Sequence, residues 1–465
     1  MSAPIIWIVT PFLMSLFAFF FRKQRLLAVL FTGGICTFLA ILALTVRIDS
    51  IFPMGPLKIE IPSELILFGR SLIINDGDRY LVALLYAMGA IWFFGSRIAG
   101  VNEYFVPNSM AIISLLIAAI SVQPFLFDAL IVEMAVLISI PTLLQKESND
   151  NVGIFRFLVI QTLAVPFILL AGWGFEQAAV SANAQQLYYF SAILLGFGFS
   201  MWLAVFPFYT WVPLLAESGH PFVAGFIFAI IPATAQIILV DFFNNYSWLR
   251  TEPVITGVTQ TAGILMIVIP GIWAVYQKSI LRLFGYLVLV EVGFAVLSFS
   301  VNTHLAWEAY FSSLLPRVVG IALCSMAITT WKNQDITLNI DSLKGLFFSQ
   351  PISVISFLVG WFSLSGLPLF PMFPIRFGIL TQLSQNNLPA AIWAIVATFG
   401  LFFTSMRLIS VFFTRPEHNE FQLKETPVQS IFLGIGSVLL LLMGLFPNIY
   451  VRIFLETLSV YKNLP

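Results

Sequence analysis

Long apolar runs alternate with short polar connections from one end of the chain to the other. Runs of about 20 residues, the length that carries a helix across a bilayer, fall near 4–21, 25–46, 78–98, 107–123, 125–145, 153–172, 187–206, 221–243, 254–275, 280–300, 306–331, 349–367 with a broken continuation to about 383, 391–413 and 427–450. The pattern predicts an all-α polytopic membrane protein with about fourteen spans. The first run has no basic segment before it and no small-residue cleavage site, so it reads as a span and not as a removed signal. The longest piece outside the spans is 47–77, whose LKIEIP and FGRSLIIN stretches alternate enough for short strands or an extended cap.

Prolines interrupt this pattern in two places. Phe206–Ile227, FPFYTWVPLLAESGHPFVAGFI, carries Pro207 and Pro213 and reads as a proline-punctuated loop near the end of the seventh span. Pro368, Pro371 and Pro374 break the twelfth. Proline removes a backbone donor and cannot continue a helix without loss of hydrogen bonds. In lipid, such a break survives only where protein buries it or a wet cavity receives it. A plain inter-helix loop is the simpler reading of the first break.

Composition agrees with the pattern. Of 465 residues, 59% are hydrophobic and only 9% charged, with mean hydropathy +0.97, against roughly 25% charge in soluble domains. Net charge is zero, which gives nucleic acid no electrostatic purchase. Cys36 and Cys324 lie far apart in apolar runs, and His220, His304 and His418 have no ligand spacing. Neither a disulfide framework nor a metal or iron–sulfur site is expected. No glycine-rich nucleotide fingerprint occurs, so no cofactor is expected in this chain and any redox group belongs to a partner.

Basic residues in the connections set the orientation. Odd-numbered connections hold Arg22, Lys23, Arg25, Arg97, Lys146, Lys278, Arg282, Lys332, Lys344, Arg415 and Lys424, and even-numbered ones Arg47, Lys58, Arg70, Arg79 and Arg250. That bias predicts odd connections in the cytoplasm and both termini outside.

Ionisable groups within spans are costly and are functional candidates by default. Glu133 lies nine residues into its helix, about 13 Å deep at 1.5 Å per residue, close to midplane. Asp128 is on a different face and nearer the surface. Glu291 sits mid-span, Arg317 and Arg376 lie within the eleventh and twelfth spans, and Arg407 in the thirteenth. Glu133, Glu291, Arg317 and Arg376 are the candidates for a proton path. Against this stand a structural hydrogen bond for Glu291, helix-locking ion pairs for the two arginines, and a snorkelling Arg407.

Phe206–Ile227 resembles the PFHxWLPxAxxxxPTPV signature of the antiporter-like membrane subunits of respiratory complex I and their relatives. Pro207, Phe208, Trp211, Pro213 and Pro221 fall on matching positions, with Tyr209 in place of the usual His. VYQKSILRLFGYLVLVEVGFAVL (275–297) is similar to the family's LVQxDLKRLLAYSSISHxGY, with Gln277, Arg282, Tyr286 and Gly293 matching. LSGLPLFPMFPIRFGIL (364–380) resembles its second broken helix, with Arg376 at a Lys position, and FDALIVEMAVLISIPTLL (127–144) its fifth span, with Glu133 at the buried Glu.

The resemblance implies two inverted five-helix repeats, each with a broken helix: spans 1–3 in 1–106, the first repeat in 107–243, the second in 254–413, and a last span in 427–465. It also implies a proton-translocating subunit of a complex I-type NADH/quinone oxidoreductase in an energy-transducing membrane. Its partners would be the lipid bilayer and other membrane subunits, and quinone would be met only through those subunits. The departures are specific. Trp202 and Leu281 stand where the family has lysines, and the second half carries arginine in place of lysine. Lysine releases a proton readily when buried, whereas guanidinium stays protonated. Two alternatives therefore remain open, a non-conducting structural subunit of such a complex and an independent secondary transporter.

Overall fold

In the computed structural model, residues 2–54, 57–67, 69–144, 151–178, 184–415, 424–458, 461 and 463–464 are described. Lys146 and His418 lie outside these residues. The helices are α1 (Thr10–Phe20, continuing a π-helical stretch Ile5–Val9), α2 (Arg25–Thr45), α3 (Arg79–Ala99), α4 (Phe105–Ala119), α5 (Asp128–Leu143), α6 (Val152–Ala178), α7 (Ala184–Trp202), α8 (Trp211–Ser218) and α9 (Pro221–Asn245). They continue as α10 (Trp248–Thr251), α11 (Pro253–Tyr276), α12 (Ile280–Val301), α13 (His304–Lys332), α14 (Pro351–Ser365), α15 (Met372–Asn386), α16 (Leu388–Phe413), α17 (Pro427–Leu445) and α18 (Asn448–Leu458).

Among the described residues, ten helices are long and apolar enough to cross a membrane unaided, fewer than the fourteen spans read from the sequence. The other four predicted spans coincide with helices that are shorter, more polar or interrupted. Ile5–Phe20 and Phe105–Ala119 are apolar but short. α7 opens on the polar run Ala184–Gln186, and the twelfth predicted span is divided between α14 and α15.

Burial sorts the helices into a centre and a shell. The apolar windows of α9, α12 and α13 are 100%, 89% and 94% buried, whereas those of α11, α16 and α17 are 33%, 39% and 22% buried. A helix that is apolar all round belongs inside, and α9 is such a helix. Small residues let the helices approach closely. A Cβ on Gly225 of α9 would come within 2.4 Å of Ser325 on α13, and one on Gly400 of α16 within 2.2 Å of the Gly271 carbonyl on α11.

The two predicted breaks are present, with more structure than a loop. α7 stops at Trp202, Ala204 takes a left-handed φ of 58°, and a 3-10 turn (Phe208–Thr210) leads into α8. The reading of Phe206–Ile227 as a loop is corrected: α8 is helical and Pro221 opens α9. Pro213 fits because it lies in the first turn of α8, where its missing N–H has no helical partner anyway. In the second break, α14 ends at Gly366 (φ +70°), and Pro371 and Pro374 start α15.

Short strands form at one end of the bundle, within 47–77 as the alternation predicted. β1 (Ile51–Met54) pairs antiparallel with β2 (Leu57–Glu60), and β3 (Glu64–Leu67) with β4 (Arg70–Ile73). A two-residue strand before α5, β5 (Val122–Gln123), adds to β4 with Ser71 opposite Gln123, and no alternation in the sequence announced it.

Candidate functional site

Three of the four charged candidates converge at the second break. Glu291 on α12, Arg317 on α13 and Arg376 on α15 are 2%, 2% and 3% exposed. Arg376 pairs with Glu291 and also donates to the carbonyl of Leu364 in the last turn of α14. Its guanidinium carbon lies 4.3 Å from the Phe294 ring centroid. One cation thus serves a carboxylate, a ring face and a carbonyl left over where a helix ends.

Gly366 is required here twice over. Its φ of +70° is a left-handed conformation, and a Cβ would come within 2.7 Å of Arg376 Cδ. The arginine stem therefore lies directly on the break.

Arg317 reaches the other way. Its Nη1 donates to Gln236 Oε1 of α9 at 2.8 Å, and its charge also acts on Glu291. Pro316 precedes it and lacks the N–H that would bind the Ser312 carbonyl, and Pro232 does the same to the Phe228 carbonyl one turn before Gln236. Two of the central helices thus loosen their backbone ladders beside their polar side chains.

Several buried polar atoms around the pair have no protein partner among the described residues: Arg317 Nε and Nη2, Arg376 Nε and Nη1, Gln236 Nε2, the Tyr310 hydroxyl, and the hydroxyls of Ser363 and Ser365. Buried donors and acceptors are satisfied by protein or ordered water, so this cluster marks the hydratable interior of the bundle.

Glu133 does not join that group. It is half-buried on the seam between α5 and α6, where Thr162 Oγ1 donates to it at 2.7 Å. It shares no ion pair or hydrogen bond with Glu291, Arg317 or Arg376, and among the described residues no cation pairs with it. Counting along the helix carried no information on which way its face would point.

The proline-rich motif joins the two halves of the chain. Trp211 is fully buried, with its ring centroid 5.1 Å from that of Phe157 on α6 and 6.4 Å from that of Phe228 on α9. Gly153 of α6 and Gly285 of α12 lie against α8 from two sides, and Arg282 of α12 forms a 2.7 Å ion pair with Glu217. Tyr209 stacks on Phe206, and Pro207 precedes the 3-10 turn. Arg407 does not join the cluster. Its Nη1 donates to the carbonyls of Val275 (3.0 Å) and Gln277 (2.8 Å), at the end of α11.

Residues 162–404, slightly more than half of the chain, match the family described as NADH:quinone oxidoreductase/Mrp antiporter, TM. The chain belongs to this family. It is 24% identical over 322 residues to a protein of Pelobacter propionicus named NADH-quinone oxidoreductase subunit N, the match covering 65% of this chain and 68% of that one. In fold it is similar to a chain of the archaeal membrane-bound sulfane sulfur reductase (14% identity, TM-score 0.83, 100% of both chains). A chain of the respiratory complex I of Thermus thermophilus is similar too (17% identity, TM-score 0.76, 98% of this chain and 100% of that one).

Trp202 and Leu281, read from the sequence as replacing lysines, both lie in the core. Trp202 is 1% exposed, with its ring 5.5 Å from that of Phe199 and its carbonyl accepting from the buried Gln161. Four polar groups escaped the sequence reading as site residues: Asp78, Asp241, Tyr310 and Tyr461. Asp78, Asp241 and Tyr461 lie at or beyond the end of an apolar run, where a polar residue is ordinary, and Tyr310 is an aromatic within one, where tyrosine carries no signal of its own.

Proposed function

We propose that the chain is an antiporter-like, proton-translocating membrane subunit of a complex I-type quinone oxidoreductase, with Glu291 as its working proton site. The observation that carries this reading is the buried Glu291–Arg376 pair at the second helix break, with Arg317 and Gln236 beside it. Guanidinium keeps its charge, so Glu291 is the member of the trio that can take up and give back a proton. The two arginines hold the field. Protonation of Glu291 leaves Arg376 with the Leu364 carbonyl and Phe294, and ionisation draws it back to the carboxylate.

The same reading takes the finer features with it. The chain would have fourteen spans, two inverted five-helix repeats in 107–243 and 254–413, both termini outside, other membrane subunits as neighbours, and electron transfer and quinone in those partners. The two interrupted helices, α7–α8 and α14–α15, support the repeat. The excess of Lys and Arg in odd connections supports the orientation.

The test is proton pumping by the intact complex in liposomes with Glu291→Gln, at matched redox turnover and with assembly checked. Loss of pumping in an assembled complex supports the reading, and unchanged pumping overturns it. A second reading, a non-conducting structural subunit, is favoured by the aromatic packing of Trp202 and predicts the unchanged result.

A further inference from the structure

A second set of buried polar groups lies at the end of the bundle opposite His220, and neither the motif nor the central trio uses it. α9 begins beside His220 and reaches this end at Asp241–Asn245. The Tyr461 hydroxyl donates to the Asp241 carboxylate. Asp78, just before α3, and Asp128, at the start of α5, both lie close enough to repel Asp241.

Asp128 is 1% exposed and neither of its oxygens has a partner among the described residues. Asp78 is better held, accepting from Asn75 N at 2.8 Å and Asn75 Nδ2 at 3.1 Å. Burial pushes the Asp78 carboxyl above its usual range and the Tyr461 hydroxyl well above its own. Asp241 and Asp78 are themselves only half-buried, so the cluster reaches the surface of the bundle.

α13 connects it to the central trio: the Phe311 ring on that helix lies 5.5 Å from the ring of Tyr461. Tyr310 on α13 is 1% exposed and its hydroxyl has no partner. Its electrostatic neighbours are Arg317 on one side and Asp241 on the other. Tyr310 and Arg317 are seven residues apart, two turns along one face of α13. Tyr461 is held in place by the same end of α9: Asn463 N donates to Asn244 Oδ1 (3.1 Å), Asn463 Nδ2 donates to the Asn244 carbonyl (2.9 Å), and Arg250 donates to the Asn463 carbonyl.

We infer that Asp241, with Tyr461 and Tyr310, is a second proton-binding site, through which protons pass between the Glu291 trio and the aqueous face at that end of the bundle. The ligand is the proton, carried between the groups by water and by the Tyr310 hydroxyl. One proton leaves the Glu291 carboxyl, one arrives on the Asp241 carboxylate, and no electron moves. Asp78, whose carboxylate accepts two hydrogen bonds from Asn75, adds to the negative field that attracts it. The inference rests on the proposed proton-translocating function, and its test separates the two.

The intact complex in liposomes is assayed for protons moved per electron transferred, with Asp241→Asn, Asp241→Glu, Tyr310→Phe and Glu291→Gln compared on assembled samples. The loss in Glu291→Gln defines this subunit's share of the flux. Asp241→Asn is expected to lose that whole share, Asp241→Glu to keep at least half of it, and Tyr310→Phe to lower it severalfold. If Glu291→Gln loses flux while assembled Asp241→Asn keeps it, the site is wrong and the function stands. If Glu291→Gln also keeps full flux, both fall. Should Asp241→Asn not assemble, Tyr310→Phe decides, because it removes one unpartnered hydroxyl and keeps the ring. Undiminished flux in Tyr310→Phe overturns the inference.

Discussion

Gly285 of α12 lies against Pro213 of α8, so close that a Cβ on the glycine would come within 2.7 Å of the proline Cα. The contact is backbone to backbone, and neither side can move away by rotating a side chain. It makes the proline-rich motif a joint between the first half of the chain and the helix that carries Glu291. Gly285→Ala should therefore destabilise by about 1–3 kcal/mol, the usual cost of overpacking a tight interface. Thermal unfolding of the purified protein would show a lower midpoint, and Pro213→Ala, which leaves the approach open, a smaller change.

Removing the cation of the buried pair is expected to be costly. Arg376→Gln leaves Glu291 without its ion-pair partner, and loss of one member of a buried pair costs about 3–5 kcal/mol. Arg376→Lys keeps one charge but cannot reach Glu291 and the Leu364 carbonyl with a planar fork. The double variant Arg376→Gln with Glu291→Gln should recover a large part of the stability lost in Arg376→Gln alone. A double-mutant cycle on the unfolding midpoint checks this.

Arg407 separates cationic residues that act in transport from those that fasten helices. Arg407→Ala removes two hydrogen bonds from the end of α11, worth about 1–3 kcal/mol together with the carbonyls left unmet. Proton flux per electron in the assembled complex should stay at the level of the unsubstituted protein.

How much of this was legible in advance differs from element to element. The breaks were, because prolines clustered at Pro207 and Pro213 and at Pro371 and Pro374 disfavour an uninterrupted helix more than the single prolines inside other helices do. The meeting of Glu291, Arg317 and Arg376 was half legible: mid-span charges must find partners, but α12, α13 and α15 are brought together by tertiary packing, which periodicity does not encode. Glu133 shows the limit, since depth follows from counting and facing does not. The Asp241 cluster was hidden for another reason. Its members come from five places in the chain, and nothing in the sequence places them together.

His220 gives a pH dependence of known sign. It precedes α9, its imidazole donates to the Ala99 carbonyl, and Nδ1 has no partner among the described residues. Burial, with Lys332 adding to it, lowers its pKa from 6.5 to about 4. The unfolded chain therefore binds a proton before the folded one does, and stability falls as pH drops from about 6.5 to about 4. His220→Gln should flatten the part of the acid-side decline that belongs to this residue, measured as unfolding midpoint against pH. Above pH 7 the two proteins should run parallel.

α9 has one more consequence, for how the protein is made. Its apolar window is as hydrophobic as that of α2, with mean hydropathy 2.3 against 2.4, yet it is wholly enclosed while α2 is 44% buried. A helix that never meets lipid in the finished bundle has no need of such hydrophobicity for that state. Helices insert one by one and associate afterwards, so each must first be tolerated by the bilayer on its own. That requirement limits α9 to a few polar side chains, Thr234 and Gln236 in its interior and Asp241 near its end, where the insertion penalty is smaller. The sparse polar equipment of α9 accords with that requirement, and the mid-helix charges of the centre, Glu291 and Arg317, are carried by its neighbours α12 and α13.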